Sequence, residues 1–531
     1  MVCAPEVDVI YVEPEKVVSK GRLKPWHMLH VDTVEGRVVD DKELKRTTAR
    51  KQNFASWLEG HILQLPTIVK RVQRTMSIDP FIHGTVLTVD PKLLAFGYTV
   101  EQLNMLMLPM VLEGKEALGS MGNDAPLACM ATQVRPIYDY FRQLFAQVTN
   151  LPIDPIHENI VMSLESYVGP KGNLLEMKPE QCHCILLKSP VLRIEEMNAL
   201  KNLSTAYPKW SSRTIDITFS KSEGLPGFHT ALDRVCNEAT AAIEDNQKVI
   251  ILSNCAVGKD RVPLSALIAC GAVHYHLVLQ QKRAKVALMV QTGEAHEVHH
   301  LCVLVGYGAD AVCPYLVMEV THKVSWERIE QTLEQLLKNY RKATNNGTLK
   351  VMSKMGISTL RSYKGARIFK ALGLHNEVVS RCFISMANCV QGATFDLLAM
   401  DAFELHEPHV NNLAGIANLQ DAVRERNRAA YDAYTSNTHE QIKQMALCGL
   451  LDFKYEAPTP IPIEQVEPWN EISSSFRKLA SVLLQVVWPR PRPIVFSFLA
   501  GNRCLALDWY QIYWTSMGAW SYQDSLNTHA K

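Results

Sequence analysis

His296-Glu297-Val298-His299-His300 satisfies the HExxH pattern. On a helix, that spacing sets His296 and His300 one turn apart, where they can bind zinc with Glu297 as general base; His274 and His276 add imidazoles upstream. The pentapeptide is short and directly follows the run KVALMVQTGEA, so the competing reading is a helix starting at the carboxyl end of a buried strand. Gly306-Tyr307-Gly308 likewise reads better as a βα turn than as a phosphate loop. Thirteen cysteines are scattered with no CxxC pair, which excludes a zinc ribbon or an iron–sulfur run and fits reduced thiols in an intracellular, cytoplasmic protein. No metal is expected.

The elements that must position these residues lie mainly between 183 and 320. Strands are expected at 184–187, 214–219, 248–253, 285–290 and 310–316, and helices at 194–203, 228–245, 263–281 and 296–306. This alternation calls for parallel strands with crossover helices, and VIIL and KVALMV suit strands buried on both faces. A (βα) barrel or doubly wound sheet follows. The four runs from 214 to 316 should be parallel neighbours.

Further helices are expected from Thr99 to Met110 and from Pro136 to Val148, the latter with Ile137, Tyr140, Phe141, Leu144 and Phe145 on one face. Another, capped by Ser325, should end at Asn345-Asn346-Gly347, followed by a strand Leu349 to Ser353 and a helix Ser358 to Leu372. Met352 to Ser358 then reads as a tight strand-to-helix connection. Near the start, residues 28–39 read as two short strands around Glu35-Gly36, before a helix opened by the charged run 40–50.

The 531 residues exceed a single core, and 47% apolar with 21% charged residues is the balance of a soluble globular chain. A net charge of +1 gives no field toward nucleic acid, and the apolar runs are too short to cross a membrane.

The stretches GSMGNDAPL (119–127), YDYFRQLFAQVTN, IVMSLESYVGPKGNLLE, DRVPLSALIACGAVHYHLV, GEAHEVHH, VGYGADAVCPYL and VMSKMGISTLRSYKGARIFKALGL resemble the large chain of glutamate synthase, most closely the eukaryotic NADH type. The resemblance implies an α/β fold: residues 1–50 as the C-terminal remnant of a glutamine amidotransferase domain, 51–375 as an incomplete barrel-like central domain, and 376–476 as the start of an FMN-binding barrel, interrupted near 407. Residues 477–531, with Trp488, Trp509, Trp514 and Trp520, depart from the family and form a non-family tail.

The resemblance further implies the family's reaction, in which ammonia from glutamine condenses with 2-oxoglutarate and reduced flavin converts the imine to glutamate. Family members are oxidoreductases acting on CH-NH2 donors that carry FMN and a [3Fe-4S] cluster, with FAD and NADH in the NADH type. For this chain the expectation is a fragment inactive alone, binding none of these cofactors, with no nucleic-acid or membrane partner; oligomerisation is left open. The alternatives are a non-catalytic structural fragment and a zinc metallopeptidase through His296, Glu297 and His300. Where this chain has His296 the family usually has arginine, so HExxH arises by one substitution. Cys3 is expected to be a plain buried thiol rather than a nucleophile. Met121, with Ser120, Gly122 and Asp124, is the one cofactor contact implied, through the loop that approaches the flavin in the family.

Overall fold

A computed structural model describes residues 3, 9–76, 91–99, 102–117, 126–131, 134–144, 151–173, 175–324, 331–406, 428–429, 431–433 and 436. The chain divides into two compact units, Met1–Ile62 with Met177–Cys182, and Leu63–Glu176 with His183–Lys531.

In the first unit, β1 (His30–Asp32) and β2 (Arg37–Val39) form the expected antiparallel pair, Val31 opposite Val38. Asp40 caps the following helix α1 (Asp41–Arg50), its carboxylate accepting from Lys42 N at 3.0 Å. Cys3 is exposed, which corrects the buried thiol expected from its apolar character.

The second unit holds the main core. A helix α2 (Leu108–Glu113) follows a π-helical stretch Gln102–Met107 in place of one continuous helix from Thr99. Pro109 stands at the join, where a missing N–H is tolerated in a first turn. Residues 136–144 also differ from expectation: one 3₁₀ turn, Ile137–Tyr140, leads into a strand, Phe141–Gln143, antiparallel to Phe369–Ala371. Packing overrides local propensity here, since the Phe141 ring sits 5.4 Å from Tyr307 and 4.9 Å from Phe383. Residues 145–148 lie outside the described residues.

β3 (Ser166–Val168) pairs antiparallel with β4 (Cys184–Leu187), so the 184–187 run stands outside the main sheet. After α3 (Ile194–Lys201) come β5 (Ser212–Asp216), α4 (Gly224–Glu244), β6 (Val249–Ser253), α5 (Ala266–Leu279), β7 (Ala287–Thr292), α6 (Val298–Gly306) and β8 (Ala311–Pro314). The four strands lie in the order β8-β7-β6-β5, all parallel, with Ile251 opposite both Thr214 and Met289, and Met289 opposite Ala311. Every residue of β6, β7 and β8 is buried, as strands covered on both faces require. Helix α4 turns Phe228, Leu232, Val235, Ala239 and Ala242 inward at spacings of three and four.

The expected strand 214–219 is broken after Asp216, whose carboxylate accepts from Thr218 N at 2.9 Å and Thr218 Oγ1 at 2.8 Å. That bend frees Thr218–Ser220 to pair antiparallel with Arg261–Pro263. Gly306 ends α6, and Gly308, at φ +117°, turns the chain into β8; the glycine pair is therefore an αβ turn, not a βα turn.

The largest correction concerns α7 (Leu333–Lys354), which runs through Asn345-Asn346-Gly347 and replaces the expected strand 349–353. Its glycine end comes later. Gly356 is left-handed at φ +65°, with Gly356 N bonded to Ser353 O at 3.1 Å and Ile357 N to Met352 O at 3.0 Å. Met352 to Ser358 is thus a helix end, and the expected helix 358–372 is only a turn, Leu360–Tyr363, before the strand Phe369–Ala371. Ser325 lies outside the described residues.

Gly347 serves close packing: a Cβ there would lie 2.4 Å from Val298 Cγ2 and 2.9 Å from Glu116 Oε2. Gly347→Ala gains about 1 kcal/mol of helix propensity but inserts a methyl into a full interface at a cost of about 1–3 kcal/mol. The variant should be net destabilised, read as a lower denaturant midpoint; an unchanged or raised midpoint would show that the helices separate freely.

Among the described residues, no helix is long and apolar enough to cross a membrane.

Candidate functional site

Parallel α/β sheets present functional groups at the carboxyl ends of their strands. Here that end is closed by a buried polar cluster. Asn254, just past β6, accepts from Gly293 N at 3.0 Å through Oδ1 and donates to Thr292 Oγ1 at 3.1 Å. Ser253 Oγ donates to Gln291 Oε1 at 3.1 Å, and Tyr98 OH donates to Gly293 O at 2.8 Å.

Glu294, two residues past β7, is the central carboxylate. Ser265 caps α5, and Glu294 accepts from Ala266 N at 2.9 and 3.1 Å and from Ser265 Oγ at 3.0 Å. An anion at that helix start meets unpaired N–H groups and the positive end of the helix dipole. Tyr138 OH adds a 3.1 Å bond. Burial nonetheless raises the Glu294 pKa against these donors.

The HExxH residues follow. Because α6 starts at Val298, His296 precedes the helix and Glu297 occupies its N-cap position, so the motif is not carried on one helical face. His300 Nε2 lies 3.1 Å from Glu297 Oε1. Burial disfavours both charges, yet each holds the other: the His300 pKa is raised, and the Glu297 carboxyl is held well below its usual range. His296 Nδ1 meets Glu294 O at 2.9 Å, while its buried Nε2 has no hydrogen-bond partner among the described residues. Burial, and then the neighbouring His300, push the His296 pKa down to about 3. His299 Nε2 meets Tyr138 O at 3.0 Å, and burial lowers its pKa to about 4. Tyr340 OH donates to His296 O at 3.2 Å.

Among the described residues this arrangement builds no zinc site. His274 Nδ1 is engaged by Arg283 Nε at 3.1 Å and His276 Nε2 by Thr240 Oγ1 at 3.0 Å. Among the described residues, no group of three or more His, Cys, Asp or Glu side chains is arranged to hold a metal ion. An iron–sulfur cluster does not fit them either. The described cysteines are all free, six are buried, and burial pushes Cys270 and Cys302 up to about 12, far from the thiolate that iron requires.

Met121, Ser120, Gly122 and Asp124 lie outside the described residues. Sequence reasoning missed Tyr98, Tyr138, Asn254 and Glu294. The signal for the last two was their position, one or two residues past the ends of strands buried at every residue.

The glutamate synthase central domain family matches residues 91–375, which contain the parallel sheet and this cluster, and the class-II glutamine amidotransferase family matches residues 1–57. The chain is 50% identical to glutamate synthase [NADH] of Schizosaccharomyces pombe and 47% identical to that of Saccharomyces cerevisiae, in each case over 90% of this chain and 24% of the relative. It is 35% identical to the glutamate synthase [NADPH] large chain of Bacillus subtilis, over 89% of this chain and 32% of that one. The chain therefore spans about a quarter of the length of its yeast relatives. The recombinant flavin-binding domain of baker's yeast flavocytochrome b2 aligns at 10% identity and a TM-score of 0.31, over 61% of this chain and 97% of that one, a likeness too slight to carry an argument. With more than half of its length matched by the central-domain model, around a four-stranded parallel sheet, this chain belongs to the glutamate synthase family.

Proposed function

We propose that this polypeptide is the linking part of a glutamate synthase large chain: a scaffold between the site that releases ammonia from glutamine and the flavin site where 2-oxoglutarate becomes glutamate. In this reading, residues 1–50 are the end of the amidotransferase domain, 51–375 the central domain, 376–476 the start of the FMN-binding domain and 477–531 a non-family tail. The described part of 376–476 is mainly residues 376–406, and 477–531 lies outside the described residues.

One observation carries the scaffold role. The carboxyl end of the sheet, where an α/β enzyme would seat its ligand, is filled by the protein's own Tyr98, Tyr138 and His296, with His296 only 3% exposed. The barrel-like character of the central domain is supported by a fifth parallel segment. Val191 bridges Val312, with Leu192 N bonded to Val312 O at 2.8 Å and Val312 N to Pro190 O at 2.7 Å, so the sheet continues past β8. The peptidase alternative is not favoured, since His300 and Glu297 are committed to each other.

The test supplies the polypeptide with glutamine, 2-oxoglutarate, FMN and a reductant and measures glutamate against a no-protein control. No glutamate above the control is expected, because the chain's own residues at the carboxyl end of the sheet are engaged with one another. Turnover dependent on this chain alone would overturn the scaffold reading.

A further inference from the structure

At the opposite, amino end of β8 lies a cleft of about 80 Å³, lined among others by Ser166, Lys171, Asp310, Arg361 and Lys364. Three elements bring these residues together. β3 supplies Ser166, the αβ turn before β8 supplies Asp310, and the Leu360–Tyr363 turn supplies Arg361 and, just beyond it, Lys364. Lys171 N bonds to Ala284 O at 2.8 Å, which anchors the first wall against the loop before β7.

The charges do not balance. Asp310 is consumed by Arg283 Nη2 at 2.9 Å, by Lys364 Nζ and by Leu288 N at 2.8 Å. Lys171 and Arg361 have no ion pair among the described residues, and the other carboxylate on the rim, Glu165, accepts from Tyr167 OH at 3.1 Å. Ser166, on the same wall, keeps a buried hydroxyl without a hydrogen-bond partner. The cleft is thus lined by three cations, Lys171, Arg361 and Lys364, with Asp310 already bound by Lys364 and by Arg283 behind it. Partial burial, and after it the neighbouring Lys364, Arg361 and Arg283, lower the Lys171 pKa.

We propose that this cleft is an anion site that takes a single phosphate-type dianion, either free phosphate or the phosphoryl group of a small ester, held by Lys171, Arg361 and Lys364. A volume of about 80 Å³, well below the several hundred Å³ of sites for larger organic ligands, matches one compact oxyanion group. Lysine point charges and an arginine fork are the side chains that recognise such groups. The site lies away from the carboxyl-end cluster and does not depend on the scaffold reading.

The test is isothermal titration of the full chain with inorganic phosphate, and separately with glycerol phosphate, at constant ionic strength set with sodium chloride. One saturable site is expected for phosphate. Saturation by both ligands would identify a phosphoryl group as the recognised unit, and saturation by phosphate alone would identify the free ion. The double variant Lys171→Gln, Arg361→Gln removes two exposed cations that make no ion pair among the described residues, and should weaken binding by at least about tenfold. Lys171→Arg, which keeps the charge, should retain it. Absence of a saturable site in the parent chain, equal binding by the double variant, or displacement of phosphate by succinate at similar concentration would each overturn the proposal.

Discussion

Acidification from pH 6.5 to 5 is expected to destabilise the central unit steeply, because the fold keeps several histidines neutral. Burial holds His296 and His274 near a pKa of about 3 and His299 near about 4. In the unfolded chain each would titrate near its ordinary value of about 6.5. A folded pKa below the unfolded one means that the unfolded state binds more protons, so stability falls as pH drops below about 6.5 and keeps falling until the folded pKa is reached. Each such histidine costs at most about 1.4 kcal/mol per pH unit, and the three together roughly 4 kcal/mol per unit.

Other groups around them modify this slope. His300, whose pKa is raised beside Glu297, contributes stability that is complete below its unfolded value and lost only as pH rises through the folded one. Glu294, Asp139 and Glu116 are raised by burial and take up protons as pH approaches the carboxylate range, which offsets part of the loss there. The clean measurement is therefore a difference. Unfolding free energy against pH for the parent and for His296→Gln should differ in slope by about one proton, about 1.4 kcal/mol per pH unit, between 6.5 and 5. Equal slopes would show that His296 is protonated in the fold.

Asp310→Asn should be the most damaging single substitution at the amino end of β8. The Asp310 side chain is 9% exposed and the Arg283 side chain 12%, and between them, Lys364 and Leu288 N the carboxylate is fully engaged. Burial disfavours its charge, but Lys364 and then Arg283 hold its pKa far below the usual range. Neutralising it leaves two part-buried cations uncompensated, at a cost of roughly 3–5 kcal/mol, whereas an exposed pair would lose at most about 1 kcal/mol. Denaturant unfolding at pH 7 decides between these magnitudes. The depressed pKa also means that the Asp310 contribution is present above about pH 4 and lost only as pH falls through the folded value. Its effect is thus separable from that of the histidines.

Much of the core could be read from residue order. VIIL and ALMV are apolar at every position, a pattern that only a strand covered on both faces needs, and their spacing by helical stretches leaves parallel pairing as the arrangement that closes. The hairpin around Gly36 and the helix opened by the charged run 40–50 were equally legible, because turns and helix starts depend on a few neighbouring residues. The weakness of HExxH was legible from its setting at the end of a strand.

The rest depended on residues distant in sequence. Asn-Asn-Gly at 345–347 is a helix-stop signal taken locally, yet α7 runs through it, and the glycine there serves close packing against Val298 and Glu116. Phe141 has a helical pattern around it but lies in a strand, since its ring is claimed by Tyr307 and Phe383. The carboxyl-end cluster draws on Tyr98, Tyr138, Glu294, His296 and Tyr340, and no spacing rule links them. Residue order alone determined which segments are strands and helices at the heart of this protein and which family it resembles. Tertiary structure decided where helices end, which polar groups meet, and which histidines stay uncharged, because close approach and desolvation are properties of the packed core and not of any local run of residues.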